Sequence, residues 1–183
     1  METLARVKRT LPDAALRTTF VVGHPGETDA AFDELLEFVS SGAFDLVGAF
    51  EYSREPGTLS AKLRDEIPAE VKAERRERLM EAALTLSQKR MAAMVGRRQT
   101  MLLDSPLDKE SGKAALSELR RRGILGKADG RTPGEVWIGR SQSEAPEIDG
   151  IIMLLPVQNR AVGEFVDVDI IGAMDYDRLA RIG

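Results

Sequence analysis

A short run between Arg17 and Thr28 carries residue types that could bind a small-molecule ligand. Apolar and β-branched residues lead into a Gly-His-Pro-Gly turn at residues 23–26, and Glu27 follows the turn. This order predicts a strand, a tight turn and a helix, with the turn at the carboxyl end of the strand, where α/β folds place their ligand sites. Backbone N–H groups at such a turn can bind a nucleotide or a carboxylate.

Composition excludes several other kinds of chemistry. The chain has 183 residues, a net charge of −4, one histidine and no cysteine. It can therefore form no disulfide, no thiolate metal site and no histidine-rich metal site. The negative charge argues against a generic nucleic-acid binder. Because no apolar run approaches the roughly 20 residues of a membrane span and no signal peptide is visible, we expect a cytoplasmic protein with no membrane partner.

Helical and strand patterns alternate in the first half of the chain. Apolar spacing predicts a helix over residues 3–11, a strand near 16–22, a helix capped by Thr28 and a strand over 44–50. This order implies parallel strands joined by a right-handed crossover. We expect residues 1–95 to form an α/β domain.

A long helix is predicted to follow. Pro68 fits its first turn, and the helical pattern continues to about Val95. Charged residues are dense between Glu70 and Arg78, and we expect them to form a solvated face of this helix.

The pattern changes after Gly96 to short strands that are separated by Gly, Pro and Asp turns. Strands are predicted over residues 98–104, 135–141, 150–155, 163–171 and 177–182. We therefore expect residues 96–183 to form a small antiparallel β-barrel of the oligonucleotide-binding-like type. The single tryptophan, Trp137, has apolar neighbours and is predicted to pack in the core.

A basic insertion at about 105–133 interrupts the β pattern. Ser111 is predicted to cap a helix that continues through Arg122, with Leu116 and Leu119 on one side. Two interpretations of the insertion stay open. It is either a solubilising helical hairpin on the surface or an element that contacts RNA or the ribosome.

Several of these segments resemble radical SAM methylthiotransferases. Residues 17–28 look like one of the last two βα units of the family's radical SAM barrel. Residues 44–48, with the Tyr-Ser-Arg-Glu-Pro-Gly-Thr run at 52–58, look like the other. The resemblance implies that residues 1–95 are a partial (β/α) barrel, and since two βα units cannot close a barrel, we expect strand edges and an apolar face to be uncovered. Residues 96–183 resemble the TRAM domain that ends those enzymes. One branch of the family modifies an aspartate of a small-subunit ribosomal protein. This chain is similar to that branch at two short segments, Gly-Arg-Ser at 139–141 and Ala-Pro-Glu-Ile-Asp-Gly at 145–150.

The resemblance implies a reaction, cofactors and partners. Full-length members use S-adenosylmethionine and two iron–sulfur clusters to add a methylthio group to their substrate. Since this chain lacks the cluster cysteines, we expect it to be the C-terminal part of such an enzyme and inactive alone, with no catalytic residue and no metal ligand. The implied partners are the small-subunit ribosomal protein and the missing N-terminal part. The alternative is a non-catalytic TRAM-type module that binds RNA or a ribosomal protein.

The resemblance also assigns cofactor-binding residues around the turn. They are Val21, Val22, Gly23, His24, Pro25, Gly26, Glu27 and Tyr52. The glycines would equally serve to permit a tight turn and close helix packing. Glu27 would either accept a ligand hydroxyl or lie in the first turn of the helix. His24 departs from the family, where an aromatic residue is usual, and the resemblance implies that it would fill that place near the adenine.

Substrate-binding residues are predicted in the barrel. Glu147 and Asp149 lie in a loop between strands, where carboxylates would suit a basic partner. Arg140 would contact the substrate, or would pair with one of these acids or with Asp104 as an internal brace.

Overall fold

The computed structural model describes residues 2–64, 67–126 and 134–183. It divides into two compact units, Met1–Ser87 and Gln88–Gly183. The elements in chain order are α1 (Glu2–Thr10), β1 (Arg17–Val22), α2 (Asp29–Ser40), β2 (Leu46–Glu51), a short 3₁₀ turn (Ser60–Lys62), α3 (Ala69–Met94), β3 (Arg98–Pro106), α4 (Lys109–Arg121), β4 (Glu135–Arg140), β5 (Ile152–Val157), β6 (Phe165–Ala173) and β7 (Arg178–Ile182).

The first unit is a two-stranded parallel sheet packed on helices. β1 pairs with β2 from Arg17 opposite Leu46 to Val22 opposite Glu51, which confirms the predicted parallel pairing. Helix α2 begins where predicted, since the Thr28 Oγ1 accepts the Ala31 N–H at 3.1 Å. This bond satisfies one of the amides that a helix start leaves without a partner.

One face of this sheet is covered and the other is open. Val22 lies in the core that the sheet forms with the helices, with Phe32, Val39 and Leu79. Because successive side chains of a strand point to opposite faces, Val21 and its register partner Phe50 lie on the other face, where they are 51% and 66% exposed. The α/β arrangement and the uncovered apolar face are confirmed, whereas two strands alone do not define a (β/α) barrel.

The second unit is a closed five-stranded barrel in the order β3-β4-β5-β7-β6. Four of its strand pairs are antiparallel, but β5 and β7 run parallel. The prediction of a fully antiparallel barrel is therefore wrong for that pair. The reason is parity: a ring with an odd number of strands cannot alternate direction at every step. Trp137 is buried in the interior with Met101 and Leu154, which confirms its predicted core position.

Helix α4 covers part of the outside of this barrel. Leu116 and Leu119 are buried with Val136 and Leu179, which point away from the interior because their strand neighbours Trp137 and Ala180 point into it. The described part of the insertion is thus one helix with a buried apolar side. The end of the predicted hairpin, residues 127–133, lies outside the described residues.

The N-cap of α4 is Asp108, and the predicted cap at Ser111 is wrong. The Asp108 Oδ1 accepts the N–H groups of Glu110 and Ser111, each at 2.9 Å, so Ser111 lies inside the helix. An aspartate three residues earlier satisfies the free amides of the first turn, and it also complements the helix dipole. Hydrogen bonds from Ser111, and then from the Glu110 amide, lower the pKa of Asp108.

Acid should therefore weaken the start of α4. A carboxylate whose pKa is lowered by folding stabilises the fold above its unfolded value of about 3.9, and the contribution is lost as the pH falls through the lower folded value. We expect the ¹³C carboxyl resonance of Asp108 to titrate below pH 3.9, and Asp108→Asn to reduce the acid sensitivity of α4. A midpoint at or above the unfolded value would contradict this cap.

Among the helices of residues 2–64, 67–126 and 134–183, none combines the length with the apolar composition that a membrane span requires.

Candidate functional site

The turn after β1 requires glycine at two positions. Gly23 has φ +74° and Gly26 has φ +91°, a region that other residues rarely adopt. A Cβ on Gly23 would also lie 2.4 Å from the Lys72 Cγ. The conformational reason for these glycines is therefore confirmed, and the close approach of α3 is a second reason at Gly23.

Glu27 closes this turn with its own side chain. Its Oε1 accepts the Gly23 N–H at 3.0 Å and lies 2.7 Å from the Arg75 Nη1, with the carboxylate side chain only 13% exposed. Glu27 precedes the N-cap residue Thr28, so the prediction that it lies in the first helical turn is wrong. Its role toward a ligand stays a prediction.

Two charged residues of α3 lie beneath the turn instead of facing solvent. Lys72 is 8% exposed and Arg75 is 5% exposed, so the solvated-face prediction is wrong at these positions. The signal was their spacing: residues 72, 75 and 79 recur at helical intervals, and Leu79 is in the core. Burial by itself would lower the pKa of Arg75, but hydrogen bonds to Asp29 and Glu27 raise it above its ordinary value.

Two predicted aromatic residues meet at the carboxyl ends of the strands. The Tyr52 N–H donates to the Val22 carbonyl oxygen at 2.8 Å. The His24 and Tyr52 rings are arranged edge to face, with 5.1 Å between their centroids. The His24 Nδ1 lies 3.1 Å from the Pro25 carbonyl oxygen, and its Nε2 lies 3.1 Å from the Ser60 Oγ. The Tyr52 hydroxyl is buried without a hydrogen-bond partner in the described part of the chain.

The structure thus brings all eight predicted cofactor residues to one corner of the first unit. Val22, Gly23 and Pro25 are buried, and His24, Glu27 and Tyr52 are half-buried. The two exposed members are Val21 and Gly26. What the corner offers a ligand is therefore the open Val21 face of the sheet, the backbone of the turn and the edges of two aromatic rings.

The three predicted substrate residues have different roles in the structure. Arg140 forms an ion pair with Asp104, which confirms the internal-brace alternative. The Asp149 Oδ2 accepts the Ala145 N–H at 2.7 Å and closes the loop. Glu147 is exposed and has φ +63°, so it presents its carboxylate to solvent at the loop tip.

A buried ion pair, which no sequence pattern predicted, holds the start of this loop. The Glu144 Oε1 lies 2.6 Å from the Arg178 Nη2, and the two side chains are 8% and 1% exposed. The second Glu144 oxygen accepts both the N–H and the Oγ–H of Ser141. Arg178 also donates to the Gln99 Oε1 at 2.6 Å. The loop is therefore tied to β7 and β3.

A cavity of about 620 Å³ lies beside this loop. Arg98, Arg140, Ser141 and Phe165 are among the residues that line it, and Phe165 is 71% exposed. The described residues contain no group of three or more His, Cys, Asp or Glu side chains that could hold a metal ion.

Comparison with known proteins first defines the class of the barrel. Residues 128–182 match the family described as TRAM domain, and they contain β4 to β7, four of the five strands of the closed barrel. The second unit therefore contains a TRAM domain.

Nearly the whole chain is similar to one kind of enzyme, named ribosomal protein uS12 methylthiotransferase RimO. The protein of that name from Anaeromyxobacter sp. (strain K) is 37% identical over 182 residues, which are 98% of this chain and 33% of the relative. The one from Stenotrophomonas maltophilia (strain R551-3) is 38% identical over 96% of this chain and 34% of the relative. The one from Clostridioides difficile (strain 630) is 35% identical over the same shares. These matches confirm the resemblance, and the chain spans about a third of the length of the curated relatives it matches.

Proposed function

We propose that this chain is the C-terminal part of a radical SAM methylthiotransferase of the RimO type, which adds a methylthio group to an aspartate of ribosomal protein uS12. The observation that supports this most is the 37% identity over 98% of the chain to a relative of that name. The parallel βα units and the TRAM barrel agree with it. Because the chain spans a third of such relatives, the activity belongs to a longer protein.

The corner at the carboxyl ends of β1 and β2 is the proposed wall of the S-adenosylmethionine site. Residues 21–27 and Tyr52 would hold the cofactor, mainly through the backbone of the turn. The buried Tyr52 hydroxyl, which has no partner in the described part of the chain, fits a site that receives a polar ligand. S-adenosylmethionine supplies the radical in this family, and the residues of this chain bind and orient it.

The iron–sulfur clusters of the family do not fit this chain. Their ligands are cysteine thiolates, and the sequence has no cysteine. The cluster ligands therefore belong to another part of the enzyme, and this chain alone is inactive. The free edges of β1 and β2 are where we place that missing part, because further strands would pair with the open backbone groups of this two-stranded sheet.

The β4–β5 loop is the proposed contact for the ribosomal protein. Glu147 is exposed at its tip, and the Glu144–Arg178 pair fixes its start. A rigid loop with an outward carboxylate suits a basic protein, because complementary charge speeds association and selects partners. Asp149 shapes the loop through the Ala145 amide, and Arg140 supports the adjoining strand through Asp104.

Charge reversal at the loop tip tests this function. We expect Glu147→Lys to weaken binding of purified uS12 to the 183-residue chain about tenfold at low salt, and less at high salt, because attraction becomes repulsion and exposed charges are screened. Isothermal titration calorimetry measures the affinity. The matched control is Glu110→Lys, an equal charge change at an exposed position of α4. Equal affinities for Glu147→Lys and the wild type, or no binding by the wild type, would contradict the proposed contact.

A second candidate function is a non-catalytic module that binds RNA. The exposed Phe165 beside Arg98 and Arg140 in the barrel cavity favours it, since aromatic rings and arginines form stacking surfaces for single strands. The basic helix α4 gives less support, because it carries no aromatic residue on which a base could stack. Salt-dependent binding of a ribosomal RNA fragment that is lost in Phe165→Ala would favour this candidate.

A further inference from the structure

We propose that Arg75 is the positioning residue of the turn at residues 23–27, and that it fixes the turn in the conformation that faces S-adenosylmethionine. The proposal rests on the proposed function, which places the cofactor at this turn. Arg75 lies on α3, outside the predicted motif, and acts through Glu27 without touching the cofactor itself.

The guanidinium holds the turn and the helix after it at the same time. The Arg75 Nη1 donates to the Glu27 Oε1 at 2.7 Å and to the Glu27 carbonyl oxygen at 3.3 Å. Its Nη2 donates to the Asp29 Oδ1 at 2.6 Å. One planar guanidinium therefore binds Glu27 and Asp29, the residues on both sides of the N-cap Thr28. A lysine ammonium lacks the planar fork of N–H donors that this double contact uses.

The contact between Arg75 and Glu27 also fixes the backbone of Gly23. The same Glu27 oxygen that binds Arg75 also accepts the Gly23 N–H at 3.0 Å. Gly23 has φ +74°, and a glycine has more backbone freedom to lose than any other residue. Without the carboxylate in place, nothing in this set of contacts would fix the Gly23 amide.

Burial makes this contact different from the surface pairs on the same helix. The Arg75 side chain is 6% exposed, and its guanidinium lies over the Phe32 ring at 5.5 Å from the centroid. Removing one partner of a buried pair leaves the other charge without compensation. We therefore expect the Glu27 carboxylate to leave the turn for solvent when Arg75 is shortened or loses its fork.

Arg75→Lys tests the proposal in the 183-residue chain. S-adenosylhomocysteine is the probe, titrated while the amide resonances of residues 21–27 are followed by NMR. We expect the exchange rate of the Gly23 amide with solvent to rise at least about tenfold, and the Kd for the probe to rise on the order of tenfold. The far-UV circular dichroism spectrum should stay unchanged, which establishes that the variant is folded.

Arg78→Lys is the matched control. Arg78 lies on the same helix and over the same Phe32 ring, at 5.0 Å, but it is exposed and pairs with Asp33. Arg78→Lys should change neither the exchange rate of the Gly23 amide nor the Kd for S-adenosylhomocysteine. If Arg75→Lys fails to fold, Glu27→Gln replaces the carboxylate that Arg75 and the Gly23 N–H share with a neutral amide, and it should likewise raise the exchange rate of the Gly23 amide.

The outcomes separate the two hypotheses. Unchanged Gly23 exchange and unchanged Kd in a folded Arg75→Lys or Glu27→Gln chain would overturn the role of Arg75 while leaving the cofactor site in place. No saturable shift of residues 21–27 in the wild-type chain would overturn the proposed cofactor site itself, and the positioning role with it.

Discussion

Glu144→Ala is expected to lower the free energy of unfolding of the barrel unit by about 3–5 kcal/mol, the range for breaking a buried ion pair from one side. The Glu144 and Arg178 side chains are 8% and 1% exposed. Removal of the carboxylate would leave the Arg178 charge with its Gln99 hydrogen bond and no anion in this contact. Ser141 would lose its two hydrogen bonds as well.

Urea denaturation followed by Trp137 fluorescence measures this effect, since Trp137 is the single tryptophan and lies in the barrel core. The matched control is Glu118→Ala, which breaks an arginine pair on the surface of the same unit. That change should be much smaller, because exposed ion pairs contribute little. The reverse order of the two effects would contradict the buried pair.

A double variant separates the pair from its parts. Replacing both partners by apolar residues, Glu144→Leu with Arg178→Met, removes both buried charges at once. We expect it to cost less than the sum of the two single changes, because neither charge is left without its partner. Strict additivity would mean that the two side chains stabilise the barrel independently.

Gly139→Ala is expected to destabilise the barrel by about 3 kcal/mol, at the upper end for overpacking. A Cβ at this position would lie 2.0 Å from the Leu102 carbonyl oxygen and 2.7 Å from the Met101 Cε. The first of these atoms is backbone within β3, which pairs with β4 here, so it cannot rotate away. The glycine of the Gly-Arg-Ser motif is therefore required by strand packing.

Gly112→Ala is the control for this substitution. Gly112 lies inside α4, and a Cβ there would have its nearest neighbour, the Val136 Cγ2, at 3.4 Å, an ordinary contact. Alanine also has the higher helix propensity, by about 1 kcal/mol. We expect Gly112→Ala to be neutral or stabilising in the same urea assay. A barrel that tolerates Gly139→Ala equally well would rule out the close strand contact.

Local patterns predicted the elements because the signals that start and stop them are local. The N-cap at Thr28 and the parallel β1–β2 pair were found where the spacing placed them. The cap of α4 was predicted at the wrong residue although its signal was also local. Asp108 and Ser111 are both residue types that cap helices. They differ in the structure because the Asp108 carboxylate accepts the backbone N–H groups of the first turn.

The candidate site also contains residues that local patterns predicted and one that they did not. Residues 21–27 and Tyr52 were predicted to lie together, because the carboxyl ends of parallel strands meet at one edge of a sheet. Arg75 was missed, since it lies 48 residues after Glu27 within a run of charges that is typical of a solvated face. A charged residue turns inward only when a distant carboxylate compensates it, and a helix sequence does not show what that partner is.

Residue identity and short spacing were sufficient to predict the order of the elements, the absence of cysteine ligands and the resemblance to RimO-type enzymes. Three other features became known only from the folded chain. They are the burial of Arg75 against Glu27, the Glu144–Arg178 pair across the barrel, and the parallel β5–β7 contact. Each of these depends on which distant segments meet, and therefore on closure of the barrel and packing of α3, which no local pattern encodes.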